Sequence, residues 1–149
     1  MYLEKQIIEK NCLKGLRILV VESKRDERDL LAYILESHGA AVISEASECD
    51  AVGRLMYYPP DVVFASVEAM ERYPLDLQIN ISSKQAGKEI LIIGVAESER
   101  AFYPAMATDL NFHACIFKPL DITEVVDLVT TLTGRHERRN YFWCENGLV

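Results

Sequence analysis

The sequence has no apolar run long enough for a membrane-spanning helix: its longest stretches, such as residues 90–96, fall far short of the roughly 20 residues a span requires. Its start, MYLEKQIIEKNCLKG, has no uninterrupted apolar core of the kind a secretory signal carries, so a cytoplasmic location is expected. Basic charge is also in deficit, with 16 Lys and Arg against 23 Asp and Glu and a net charge of -7. Phosphate backbones demand a dense basic surface, so nucleic acid is not an expected partner, and neither is a membrane. The four cysteines, Cys12, Cys49, Cys115 and Cys144, show no C-x-x-C spacing and no neighbouring histidine, which argues against a zinc site or a disulfide framework. Glycine is missing where a phosphate-binding loop would need it: after Val21 the chain reads ESKRDE. No metal and no cofactor is expected.

What the sequence does contain is a steady alternation. Half of the residues are apolar and about a quarter are charged, the balance of one globular domain with a single core. Strand-length apolar runs recur at residues 18–21, 41–43, 62–65, 90–95 and 114–117. Helical spacing fills the intervals. Over residues 26–37, Leu30 and Ile34, then Leu31 and Leu35, fall four apart, and Gly39 follows as a stop. A second helix opens at Ser47 with Asp50 three residues on, carries Val52, Leu55 and Met56, and ends before Pro59-Pro60. The last opens at Asp121 with Glu124 at the capping-box offset, buries Ile122, Val125, Val129 and Leu132, and stops at Gly134. Residues 71–83 are ambiguous because Pro74 and β-branched residues spoil the period, and a helix after residue 96 starts late, near Tyr103, with Met106 and Leu110 inward.

This pattern predicts an α/β fold with a doubly wound, five-stranded parallel sheet in three αβα layers. In such sheets the site lies at the carboxyl ends of the strands. The residues that matter are therefore Glu22-Ser23, Ser66-Val67-Glu68, Ala96-Glu97 and Lys118-Pro119.

RILVVESKRDERDLLAYILESHGA, PPDVVFAS, LIIGVA and LNFHACIFKPLD, taken together, resemble the receiver domain of two-component response regulators. The resemblance runs from about Leu16 to Gly134, and the phrases LKGLRILVV and TTLTGR look most like receivers of cyanobacterial signalling proteins. It implies a (βα)5 flavodoxin-like fold. It also implies a phosphotransfer pocket: an aspartate ending the third strand as nucleophile, two acids after the first strand for magnesium, a hydroxyl after the fourth strand and a lysine after the fifth. At those positions this chain has Ser66, Glu22 with Ser23, Ala96 and Lys118. Asp61 precedes its apolar run and so falls at the opposite edge of the sheet. One glutamate and two neutral hydroxyls are a weak set for a hard cation, and serine cannot form an acyl phosphate. The resemblance is thus to a degenerate receiver, a pseudo-receiver that is not an enzyme.

Two readings stay open for each survivor. Lys118 either pairs with Glu22 across the pocket or stands solvated at its rim, and Ser66 either fills space at the strand end or is the target of a serine kinase. The Lys118-Pro119 bond is expected to be cis, as the resemblance implies. Receivers relay phosphorylation to the face of their fourth helix, fifth strand and fifth helix through an aromatic residue; that position is Cys115 here, so the relay is broken while the face, with Met106 and Cys115, remains a candidate docking surface.

Residues 1–15 form an N-terminal extension with Tyr2, Leu3, Ile7, Ile8 and Leu13, either a short docked helix or a tail; residues 16–134 form the domain; and residues 135–149 form a C-terminal tail. In that tail Arg135, Arg138 and Arg139 run into Tyr141, Phe142 and Trp143, an interface-like composition that either docks on a partner or folds back. It is too short for a helix-turn-helix unit. The expected role is protein contact in signalling, with a sensor kinase, another regulator or a second copy as partner. The alternative is a receiver that still accepts a phosphoryl group, or binds a small ligand, at an unorthodox strand-end site.

Overall fold

The computed structural model describes residues 11–73, 75–98 and 112–135. The expected helix with Met106 and Leu110, the N-terminal residues Tyr2 to Ile8, and the tail residues Arg138, Arg139, Tyr141, Phe142 and Trp143 lie outside the described residues. Five parallel strands form one sheet: β1 (Arg17–Val21), β2 (Ala41–Glu45), β3 (Val62–Ser66), β4 (Leu91–Ala96) and β5 (Ala114–Phe117). Their order is β2-β1-β3-β4-β5, so the chain reverses its direction of travel across the sheet beside β1. That switch point opens a crevice at the carboxyl ends of β1 and β3.

Strand alternation splits the core into two layers. Ile18 and Val20 of β1, Phe64 of β3 and Val95 of β4 point to one face, where α1 (Arg25–Ser37) covers them with Leu31, Ile34 and Leu35 and the last helix with Val125 and Val129. Leu19, Val21, Val63, Ala65 and Ile92 point to the other, beneath α2 (Glu48–Tyr57), α3 (Val67–Arg72) and α4 (Leu75–Ala86). The last helix, α5 (Ile122–Leu132), begins where the sequence places it: the Asp121 side chain accepts from the Glu124 N–H at 2.9 Å. Ser47 likewise caps α2 by accepting from the Asp50 N–H. Each cap satisfies a helix-end donor that has no partner within the helix.

The ambiguous residues 71–83 resolve into two helices: α3 ends at Arg72, α4 starts at Leu75, and Pro74 lies between them. Three side chains assigned to the core from spacing alone are on the surface instead: Leu30 is 45% exposed, Met56 68% and Ile122 52%. In α1 the buried stripe is Leu31, Ile34 and Leu35, and Leu30, one turn before Ile34, stands where the edge of that stripe meets solvent. Within β4, Gly94 leaves room for the Phe112 ring; a Cβ there would come within 2.7 Å of it. No helix among the described residues is long and apolar enough to cross a membrane.

Adjacent leucines in α1 give a direct test of this register. Leu31 is 3% exposed, so Leu31→Ala is expected to lower unfolding free energy by about 2–5 kcal/mol, whereas Leu30→Ala costs less than about 1 kcal/mol. Urea denaturation midpoints of the two variants check the difference.

Candidate functional site

The sheet register sets the levels of the strand-end residues. Val21, Ala65, Gly94 and Cys115 form one row across β1, β3, β4 and β5, and Ser66, Val95 and Ile116 form the next. Glu22 follows the first row, Ala96 stands one residue beyond the second, and Lys118 donates its backbone N–H to the Ala96 carbonyl at 2.9 Å. The Lys118-Pro119 peptide is cis. All five positions singled out from sequence therefore converge on one edge of the sheet.

Lys118 dominates this edge. Its side chain is only 11% exposed, and its Nζ donates to Glu27 Oε2 at 2.5 Å, Glu97 Oε2 at 2.6 Å and Glu22 Oε1 at 3.3 Å. The open choice between pairing and solvation is settled as pairing, but with three carboxylates where Glu22 alone was foreseen. Glu27 sits in the first turn of α1, and Glu97 in the turn after β4. Helix first turns over a parallel sheet point toward the carboxyl edge, which is the signal that could have found Glu27. The buried Glu22 also accepts the Lys24 N–H with its second oxygen at 3.1 Å, while its backbone carbonyl accepts from Arg28 at 2.9 Å. Lys24 Nζ reaches Glu97 Oε2 at 3.2 Å.

Formal charge in the cluster is balanced, three carboxylates against the ammonium groups of Lys24 and Lys118 and the guanidinium of Arg28. Burial alone would lower the Lys118 pKa, but hydrogen bonds to Glu27 and Glu97 and the charge of Glu22 outweigh it and raise it above the ordinary lysine value. The hydrogen bond from Lys118, followed by that from Lys24, holds the Glu97 carboxyl below its ordinary range. Lys118 and Glu97 thus stay ionised through the neutral range.

Ser66 has a third role that neither sequence reading included. Its side chain accepts from the Ala69 N–H at 3.2 Å and so caps α3. Glu68 is exposed in the first turn of that helix. Ala96 is buried beside Val67 and offers only a methyl group. Ser23 is exposed, and its carbonyl lies 3.4 Å from Arg28 Nη1. Cys115 is half-buried against the same small cluster, and burial pushes its thiol up to about 12, so it stays protonated. Asp61 is at the opposite edge, where it accepts the Arg17 N–H at 2.8 Å and pairs with Lys88 at 3.0 Å.

Magnesium, which the receiver resemblance implies, does not suit this donor set. The ammonium of Lys118 stands at the point where the three carboxylates converge, and the second acidic position is a serine. What the arrangement does chemically is hold four segments together by charge: the turn after β1, α1, the turn after β4 and the turn after β5.

No family model matches the sequence. The chain is 27% identical over 113 residues to the sensory transduction protein LytT of Bacillus cereus, a match that spans 74% of this chain but 44% of that protein's length. Among solved structures it is similar to a response regulator receiver protein from Burkholderia phymatum, with a TM-score of 0.62 and 20% identity over 80% of this chain and 96% of that one. It is also similar to a complex from Saccharomyces cerevisiae, that of the histidine phosphotransfer protein Ypd1 with the receiver domain of Ssk1, with a TM-score of 0.63 and 15% identity over 79% of this chain and 88% of that one. The chain has the five-stranded, doubly wound fold of response-regulator receivers.

Proposed function

We propose that this domain is a phosphorylation-independent pseudo-receiver, a receiver fold that serves signal transduction through constitutive protein contact. One observation carries the reading: the lysine that would read a phosphoryl group is already neutralised by Glu22, Glu27 and Glu97. A phosphoryl group brought to this edge would meet three carboxylates already engaged by an ammonium, and a serine at the end of β3 where the resemblance implies an aspartate nucleophile, its hydroxyl capping α3. The likeness to LytT, named as a sensory transduction protein, supports a signalling context, and the Ypd1–Ssk1 complex supports contact with another protein as the mode of action. A sensor kinase, another regulator or a second copy fits this reading.

Treatment with beryllofluoride and magnesium, or with acetyl phosphate, is expected to leave the amide NMR spectrum and the intact mass unchanged. A saturable shift of the Ala96 or Lys118 amides, or a phosphoryl mass increment, would replace this reading with that of an unorthodox phosphoacceptor.

Lys118 then acts as a structural residue, with a definite pH signature. Glu97 has a lowered folded-state pKa, so its contribution to stability is complete above its ordinary value of 4.5 and is lost as pH falls through the lowered one. The raised pKa of Lys118 keeps its contribution intact until strong alkali. Lys118→Met leaves three carboxylates facing one another and is expected to cost about 2–4 kcal/mol at pH 7, below the full penalty of a buried pair because Glu27 and Glu97 are partly exposed. The deficit relative to the parent narrows as Glu97 protonates on acidification. Urea melts at pH 7 and pH 4 check this; an equal deficit at both would make packing, not charge, the cause.

A further inference from the structure

The outer face of the α2–α4 layer is unusual for this acidic protein. α4 reads LDLQINISSKQA, and its aliphatic residues point both ways: Leu75 and Ile79 are buried, while Leu77 and Ile81, one turn apart, are 55% and 50% exposed. A helix apolar on both faces is normally covered on both. Beside it, the last turn of α2 exposes Met56 and Tyr57. The two helices are tied together, because Ser82 Oγ donates to the buried Leu55 carbonyl at 2.9 Å. The four exposed side chains present on the order of several hundred Å² of mostly apolar surface, set against the roughly 800 Å² each partner gives to a standard interface.

Charge on this face identifies the occupant. Both helices are crossover helices of a parallel sheet and run in the same direction. Acid stands in the first turn of α2, Glu48 and Asp50, and base in the last turn of α4, Lys84, at the opposite end of the face; Asp76 in the first turn of α4 is buried, and Arg54 is paired with Glu45 at 2.6 Å. A face that is acidic at one end, apolar in the middle and basic at the other is complementary to itself when rotated by a two-fold axis across the helices. Elsewhere a net charge of -7 opposes self-contact; α1, for example, exposes Asp26 and Glu36 beyond its Arg25–Asp29 pair.

We propose that the α2–α4 face is an isologous homodimer interface in which these helices pack antiparallel to their copies. This inference rests on the reading of the domain as a constitutive contact module and names a second copy of the chain as its partner.

Sedimentation equilibrium of the full chain at micromolar concentrations tests it. The parent is expected to be dimeric. Leu77→Asp and Ile81→Asp are each expected to raise the dissociation constant more than about tenfold with unchanged far-ultraviolet circular dichroism, and Tyr33→Asp on α1 to leave it unaltered. Lys84→Glu, at an exposed position, weakens the dimer without touching the core, and adding Glu48→Lys restores it. A monomeric parent, or a dimer indifferent to Leu77→Asp, Ile81→Asp and Lys84→Glu, overturns the proposal. The two levels separate cleanly. A parent that is monomeric with or without beryllofluoride and magnesium sinks the interface and leaves the contact-module reading standing; one that dimerises only with them sinks that reading.

Discussion

A buried ammonium cannot stand alone, and Lys118 is the constraint around which the carboxyl edge of this sheet is arranged. Removing such a charge from water costs several kcal/mol unless good geometry and further hydrogen bonds repay it. Here three carboxylates share the task, and they come from separate parts of the chain: the end of β1, the first turn of α1 and the end of β4. The ammonium thereby fixes the height at which α1 starts and the course of the chain as it leaves β4. Arg28 extends the same logic to the backbone by donating to the Glu22 carbonyl, so the turn between β1 and α1 is held from both sides.

Everything beneath that edge follows from alternation. Successive residues of β1 and β3 feed two separate apolar layers, and each layer is closed by helices that start with a side-chain cap or an acidic first turn. Ser66 shows how the edge and the layers share parts. Its backbone ends β3 beside Val95, and its hydroxyl begins α3. A serine there supplies a cap acceptor and remains neutral, whereas an ionised group would add a fourth anion to an edge already balanced by Lys24, Lys118 and Arg28.

Much of this was legible in the residues because it depends on short-range signals. The β-branched runs give the strands to within one or two residues, and Ser47, Asp121 and Gly134 mark helix ends through local hydrogen bonding. Helical spacing places Leu30, Met56 and Ile122 inward, yet they are exposed, because spacing defines an apolar stripe without saying where its edges and ends meet solvent; that is set by what the helix packs against. The ion cluster was half legible. Glu22 and Lys118 emerge from strand-end positions, but Glu27 lies 91 residues from Lys118 along the chain, and only the assembled sheet brings the two together. Glu97 follows Ala96 directly at the end of β4, but nothing local marks an exposed-turn glutamate as the partner of a lysine 21 residues away.

An edge neutralised from within changes how such a fold can be controlled. A receiver with an empty anion site converts a chemical event into a shape change, whereas here the lysine of that edge is already paired with Glu22, Glu27 and Glu97. On the proposed reading, the remaining variable is occupancy of a surface. Occupancy follows mass action, so the amount of protein and the affinity of the contact set the output rather than a covalent mark. A charge-poor face suits that mode, because its affinity depends chiefly on apolar burial and only weakly on the ionic surroundings. The charges at its two ends then serve mainly to fix the orientation of the contact, which is the part apolar burial cannot specify.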